Sequence, residues 1–187
     1  MSSQTTVEAI IKHLGVDLRA KSLRSQGMTS KVRPVDSRDD AKIEHLRTTV
    51  QGPTRTLGGE VIVGDREEQS LTMHWRPAAN FYHNGTRDGS PSLQGGFVTA
   101  IIDATMAHLV RFMAKEDMAI ATLEIKVSFI RPTPLRPLRS TAKVVHLGKV
   151  GGIGHLEGFL EDISTGKLLA RATSTVKLLP APPTSKL

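Results

Sequence analysis

The 187-residue chain contains no cysteine, which excludes disulfide staples and thiolate metal sites and suits a reducing compartment. Aromatic residues are scarce, with one tryptophan, one tyrosine and five phenylalanines. So few rings, and basic residues scattered rather than clustered, argue against nucleic acid as a partner although the net charge is +7. A small anionic ligand, such as a phosphorylated cofactor, accounts for that charge equally well. No run of roughly 18 to 20 apolar residues goes unbroken by charge, so no membrane span is expected. Residues 1–6 are polar and lack the basic-then-apolar pattern of a secretory signal. The histidines show no pair at a metal-ligand spacing, so no metal is expected.

What is present suits one globular core: 39% hydrophobic and 23% charged residues. Residues 1–55 read as an N-terminal extension, partly helical or disordered. Within it Val7, Ile10, Ile11 and Leu14 share a helical face that ends at Gly15, while residues 19–40 are polar with no sustained period. Residues 56–180 read as one domain and 181–187 as a tail. In the domain, residues 60–63 and 71–75 are short strand candidates, followed by a loop rich in Pro, Asn, Gly and Ser over 76–93. Residues 95–114 are apolar on nearly every side, as in a helix buried all round, and would span about 30 Å. Four strand candidates follow, over 120–129, 138–147, 153–162 and 168–178. In the first, Ala121, Leu123, Ile125, Val127 and Phe129 alternate with Thr122, Glu124, Lys126 and Ser128, which predicts buried odd positions. Strands on both sides of one helix cannot make repeated βαβ units. The expected class is α+β, one antiparallel sheet wrapped around one long central helix.

The segment Leu93-Gln94-Gly95-Gly96-Phe97-Val98-Thr99-Ala100-Ile101-Ile102-Asp103 resembles the active-site segment of the phenylacetate-pathway and 4-hydroxybenzoyl-CoA-type hotdog thioesterases. In many of these a His-Gly-Gly opens the central helix and an Asp or Glu follows seven residues after the second glycine. Gly96 and Asp103 keep that spacing. The likeness continues through Phe129-Ile130-Arg131-Pro132, Val145-His146-Leu147-Gly148-Lys149 and residues 168–176. It implies a hotdog fold and an acyl-CoA thioesterase, with coenzyme A as part of the substrate and no separate cofactor. Two alternatives share the fold: another hotdog enzyme such as an enoyl-CoA hydratase, or a non-catalytic acyl-CoA-binding protein. The Asp and His pair that hydratases of this fold carry at the helix start is absent from Leu93 and Gln94.

Amides that open a helix lack intrahelical partners and sit at its positive end, so those of Gly95 and Gly96 suit an oxyanion hole. Two turn glycines would read the same way; the resemblance makes Gly95 the principal donor. Asp103 is the only acidic residue between positions 95 and 114, where a carboxylate is costly unless paired or used. The resemblance makes it a nucleophile or a general base, the alternative being a structural carboxylate. Eight residues of helix separate Gly95 from Asp103, roughly 12 Å, too far for one thioester carbon to meet both. The two are therefore expected from different subunits of a homodimer, alone or paired into a homotetramer.

The resemblance also gives Thr122 the task of holding the carboxylate or the water, although threonine is common in strands for packing alone. Gln94 stands where relatives carry His, able to hydrogen-bond substrate but not to titrate. Asn80 and Asn84 compete for a further amide contact, with Asn80 preferred. Gly148 and Lys149 occupy the place of a contact to coenzyme phosphates, where a merely solvated lysine is the alternative. His108 reads as a core or interface histidine, and Trp75 and Tyr82 as walls of an acyl pocket or subunit seam. The final Ser185-Lys186-Leu187 is the tripeptide read by the peroxisomal import receptor. In a eukaryote it directs the chain to the peroxisome; otherwise the cytoplasm is expected.

Overall fold

The computed structural model describes residues 37–50, 52–84, 86, 88–114 and 118–180. The expected helix over 7–14 and the Ser185-Lys186-Leu187 signal lie outside the described residues. Helices α1 (Ser37–Thr49) and α2 (Gly52–Thr56) come first. Strands β1 (Gly59–Asp65) and β2 (Ser70–Trp75) form a hairpin. A 3-10 turn, Ala79–Phe81, leads to the two-residue strands β3 (Tyr82–His83) and β4 (Ser92–Leu93), which pair with each other. Helix α3 (Gly95–Met113) precedes β5 (Met118–Phe129), β6 (Leu138–Leu147), β7 (Ile153–Asp162) and β8 (Leu168–Pro180). Six strands make one antiparallel sheet in the order β1-β2-β6-β7-β8-β5, with α3 packed along one face. This is the α+β hotdog arrangement.

The core lies between α3 and the sheet. Val98, Ile101, Ile102, Met106, Leu109 and Phe112 of α3 share one buried cluster with Leu71, Met73, Leu138, Leu156, Leu160 and Leu178. Full burial of each such side chain contributes about 1.5–3 kcal/mol. Gly158 sets how closely the helix approaches: a Cβ there would lie 2.4 Å from Ile102 Cγ2. By length and composition α3 could cross a membrane, against the expectation that no segment would, because Asp103 and Arg111 are too few to lower its hydropathy. Half of that stretch is buried inside the protein, and packing on the sheet accounts for its apolar character.

Beneath the helix runs a one-way hydrogen-bond chain. The indole Nε1–H of Trp75, a donor only, reaches Ser140 Oγ at 2.7 Å. Ser140 in turn donates to the Thr105 hydroxyl, whose own proton goes to the Ile101 carbonyl at 2.8 Å. Trp75 is fully buried here, so it walls neither a pocket nor a seam, contrary to the sequence expectation.

Two other expectations need correction. Residues 37–40, the end of the stretch 19–40 read as having no sustained period, instead open helix α1. Only Ile43 and Leu46 of that helix are core residues; it is held instead by its contacts with β1. Arg47 donates from Nε to Val61 O at 2.8 Å and from Nη2 to Ile62 O at 2.9 Å, covering carbonyls on the outer border of the sheet. Arg66 ties α1 to α3 as well, pairing with Asp39 while its Nη2 donates to Phe112 O at 2.7 Å.

The alternation read in β5 also breaks. Thr122 pairs with Val176 and Glu124 with Thr175, so Leu123 is an extra residue, a β-bulge that reverses the parity of the strand. Ile120 and Thr122 before it, and Ile125 and Val127 after it, face the helix. Leu123 and Phe129 are largely exposed rather than buried, at 59% and 58%. The outer side of β5 pairs with no strand among the described residues.

Candidate active site

Asp103 lies midway along α3, half-buried, and Thr122 Oγ1 donates to its Oδ1 at 2.8 Å. The bulge at Leu123 makes this contact: with unbroken alternation, Thr122 could not share a face with Ile125 and Val127. Oδ2 meets no protein donor among the described residues, so one carboxylate oxygen is held and the other is available.

At the head of α3, Gln94 is the N-cap. Its carbonyl accepts from Phe97 N–H at 2.9 Å and Val98 N–H at 3.2 Å, and its side-chain Oε1 accepts from Gly96 N–H at 2.7 Å. Of the four amides that open the helix, only that of Gly95 is left without an acceptor among the described residues. Gly96 N–H is thereby engaged by Gln94 Oε1, while the Gln94 side-chain amide nitrogen makes no hydrogen bond among the described residues. A Cβ at Gly95 would lie 3.3 Å from Phe129 Cζ, so glycine lets that ring close over the helix start. Beside it opens a cleft of about 350 Å³ lined by Leu93, Gly95, Val98, Phe129, Arg131 and Pro132, among others.

The remaining candidates divide. Asn80 is exposed on the 3-10 turn, held near the head of α3 because Phe81 O accepts Gln94 N–H at 3.2 Å and the Phe81 ring packs on Phe97. Asn84 is exposed further along the loop. Gly148 and Lys149 sit in the β6–β7 turn, which hydrogen-bonds Leu178 through Gly151 N–H at 2.8 Å. The Gly95 cleft lies at the opposite end of β8, where Arg131 N–H meets Leu169 O at 3.0 Å. Nine residues of strand separate these points, roughly 30 Å, so one chain does not bring Lys149 to Gly95.

His108 is a core histidine whose pKa burial pushes down, outweighing the raising effect of its Ala104 contact, with the Arg111 charge lowering it further. Its Nδ1 must carry a proton, since it meets the Ala104 carbonyl at 2.7 Å. Tyr82 donates to Pro134 O at 3.3 Å and does not line the cleft. Among the described residues no group of three or more His, Asp or Glu is placed to hold a metal. Sequence reasoning missed the Gln94 cap and the bulge. It quoted Arg131 for likeness but gave it no role.

Residues 92–167, from β4 through α3 to the β7–β8 turn, match the family model described as the thioesterase superfamily. Among solved structures, a phenylacetic acid degradation-related protein from Ralstonia eutropha superposes with a TM-score of 0.61 at 29% identity, covering 72% of this chain and 97% of that one. The PaaI protein of the E. coli phenylacetic acid degradation operon gives 0.61 at 20% identity, over 75% and 94%. A Haemophilus influenzae thioesterase gives 0.63 at 15% identity, over 76% and 94%; these last two likenesses speak for the fold. No curated protein matches the chain significantly. The matched segment carries the whole of α3, Asp103 and the bulged strand, and the chain is accordingly a hotdog-fold thioester hydrolase similar to the thioesterase superfamily.

Proposed function

We propose that the protein hydrolyses acyl-coenzyme A thioesters at sites shared between two copies of the chain, as a homodimer alone or paired into a homotetramer. The carrying observation is that Asp103, held by Thr122 of β5, and the unoccupied Gly95 amide belong to one helix yet stand roughly 12 Å apart along it. Strand β5 supplies the way to unite them. Thr122 marks the Asp103 position on it and Phe129 the Gly95 position, seven residues later. With Leu123 bulged out of the ladder, antiparallel pairing of two β5 borders about Lys126 sets each copy's Thr122 across from the other's Phe129. Asp103 of one copy then faces the Gly95 amide of the other.

In that arrangement the thioester carbonyl oxygen accepts from Gly95 N–H at the positive head of α3, where charge develops as the carbonyl is attacked. Thr122 holds Oδ1 of Asp103 and leaves Oδ2 to act. Oδ2 either adds to the carbonyl carbon, expelling coenzyme A thiolate and leaving an anhydride that water opens, or takes a proton from the water that adds. Both routes give the free acid and coenzyme A, which arrives with the substrate. A non-catalytic acyl-CoA-binding role differs in one respect: it tolerates loss of Asp103.

Free-thiol release should be measured across alkyl and aryl acyl-CoAs. Asp103→Asn is expected to keep binding and lose hydrolysis. Mixing Asp103→Asn with Gly95→Val, each inactive alone, should restore about a quarter of wild-type activity, since half the dimers are mixed and each carries one intact site of two. Folded mixed dimers with no activity would refute the shared site.

A further inference from the structure

We infer that the face of the sheet turned away from α3 carries an anion site, built around Lys126 and Arg171, that takes a compound with two linked phosphates and tightens the dimer. The coupling to the dimer rests on the β5 pairing proposed above; the site within one chain does not.

Outward residues of three neighbouring strands form a grid. In one row Glu157 pairs with Thr173 and Thr173 with Lys126; in the next Phe159 pairs with Arg171 and Arg171 with Ser128. The residues between the rows, Gly158, Ala172 and Val127, face the helix, so the grid projects to the other side. Its side chains line a hollow of about 310 Å³. Two of them are cations that nothing neutralises. Other cations of the sheet are committed: Arg139 lies 2.8 Å from Glu161 Oε2, Arg136 lies 3.5 Å from Asp162 Oδ2, and Lys177 donates to Gly151 O. Lys126 and Arg171 make no ion pair or side-chain hydrogen bond among the described residues, and the hydroxyls of Ser128 and Thr173 make none either. Glu157 is the one carboxylate in the hollow, and Lys143 of β6 stands opposite it on its far side. With Glu124, the next outward residue of β5, included, Lys126, Arg171 and Lys143 still outnumber the carboxylates.

Pairing two β5 borders about Lys126 sets the two Lys126 side chains directly opposite each other on one face. Like charges so placed destabilise a strand pair. An anion held between them converts that repulsion into attraction. The two hollows then meet across the axis, and each copy brings its Arg171 from the adjacent strand β8. The arginine fork suits two oxygens of one phosphate, and lysine serves as a point charge beside it. Two linked phosphates match this two-fold arrangement, one for each copy's Lys126 and Arg171.

Pyrophosphate should be titrated calorimetrically against wild type, Lys126→Gln and Arg171→Gln, with sulfate at matched ionic strength as reference and thermal melts to establish that each variant is folded. Each substitution should weaken pyrophosphate binding about 10- to 100-fold. In sedimentation of diluted protein, pyrophosphate at ten times its dissociation constant should tighten the wild-type dimer about 10-fold. Without pyrophosphate, Lys126→Gln should tighten the dimer by up to about fivefold, and pyrophosphate should then add nothing. The site is overturned if pyrophosphate binds no better than sulfate, which is charge screening alone, or if both variants bind it as wild type does. The coupling is overturned if pyrophosphate leaves the wild-type dimer unchanged. Binding that depends on Lys126 and Arg171 in a protein that stays monomeric would keep the site and remove the shared-site reading.

Discussion

Replacing Ser140 with alanine removes the middle of the chain that runs from Trp75 through Ser140 and Thr105 to the Ile101 carbonyl. Thr105 keeps its 2.8 Å bond to Ile101 O, so the main loss falls on the indole N–H, which is fully buried and can only donate. A buried donor left without an acceptor costs about 1–3 kcal/mol. At roughly 2–4 °C per kcal/mol for a chain of this size, Tm should fall by roughly 2–12 °C. Trp75 is the only tryptophan, so its emission reads out the site that is perturbed. Urea unfolding followed by that emission and by circular dichroism should give one shared midpoint, displaced to lower urea. The double variant with Thr105→Val should lose less than the two single losses added, because both act on one chain. A loss below about 0.5 kcal/mol, with unchanged tryptophan emission, would refute the assignment of the indole to Ser140.

Two further outcomes are expected. Thr122→Val should lower kcat about 10- to 100-fold with little change in Tm, because the carboxylate loses the charge-assisted bond that positions it; a kcat within twofold of wild type counts against a positioning role. Burial alone would raise the pKa of Asp162, but hydrogen bonds from Ser164 and Thr165 and the Arg136 charge outweigh it and hold the carboxyl below its ordinary range. A folded-state pKa below the unfolded one stabilises fully above about pH 4 and is lost as pH falls through the folded value. Asp162→Asn should therefore flatten the acid side of a Tm-against-pH curve, and an unaltered acid slope would contradict that.

Much of the fold could be read because its period signals are local. Residues 95–114 are apolar on nearly all sides because sheet and helix enclose them, and Ala170, Ala172, Ser174 and Val176 alternate because one face of β8 is buried. What resisted reading was set by contacts distant in sequence. Helix α1 has no apolar stripe because Arg47 binds it to main-chain carbonyls of β1. The bulge at Leu123 leaves no mark on a strand whose polar and apolar residues already alternate, yet it puts Thr122 beside Asp103. Gln94 was legible as the residue before the helix glycines, but the bond from Gly96 N–H to its side-chain oxygen depends on cap geometry. Lys126 and Arg171 were visible only as the polar side of alternating strands; their missing counter-charges emerge once Arg136 and Arg139 are seen paired.

The Arg47 side chain has a bearing on how large an assembly can grow. A pleated sheet usually has two flanks through which further strands may be recruited, and repeated recruitment yields fibres. In this chain the β1 flank is partly covered, two of its carbonyls, at Val61 and Ile62, accepting from a guanidinium of α1. Among the described residues the β5 flank of the six-stranded sheet has no such cover. A cover on the β1 flank works against growth by strand addition, a restraint built into the lead-in helix α1.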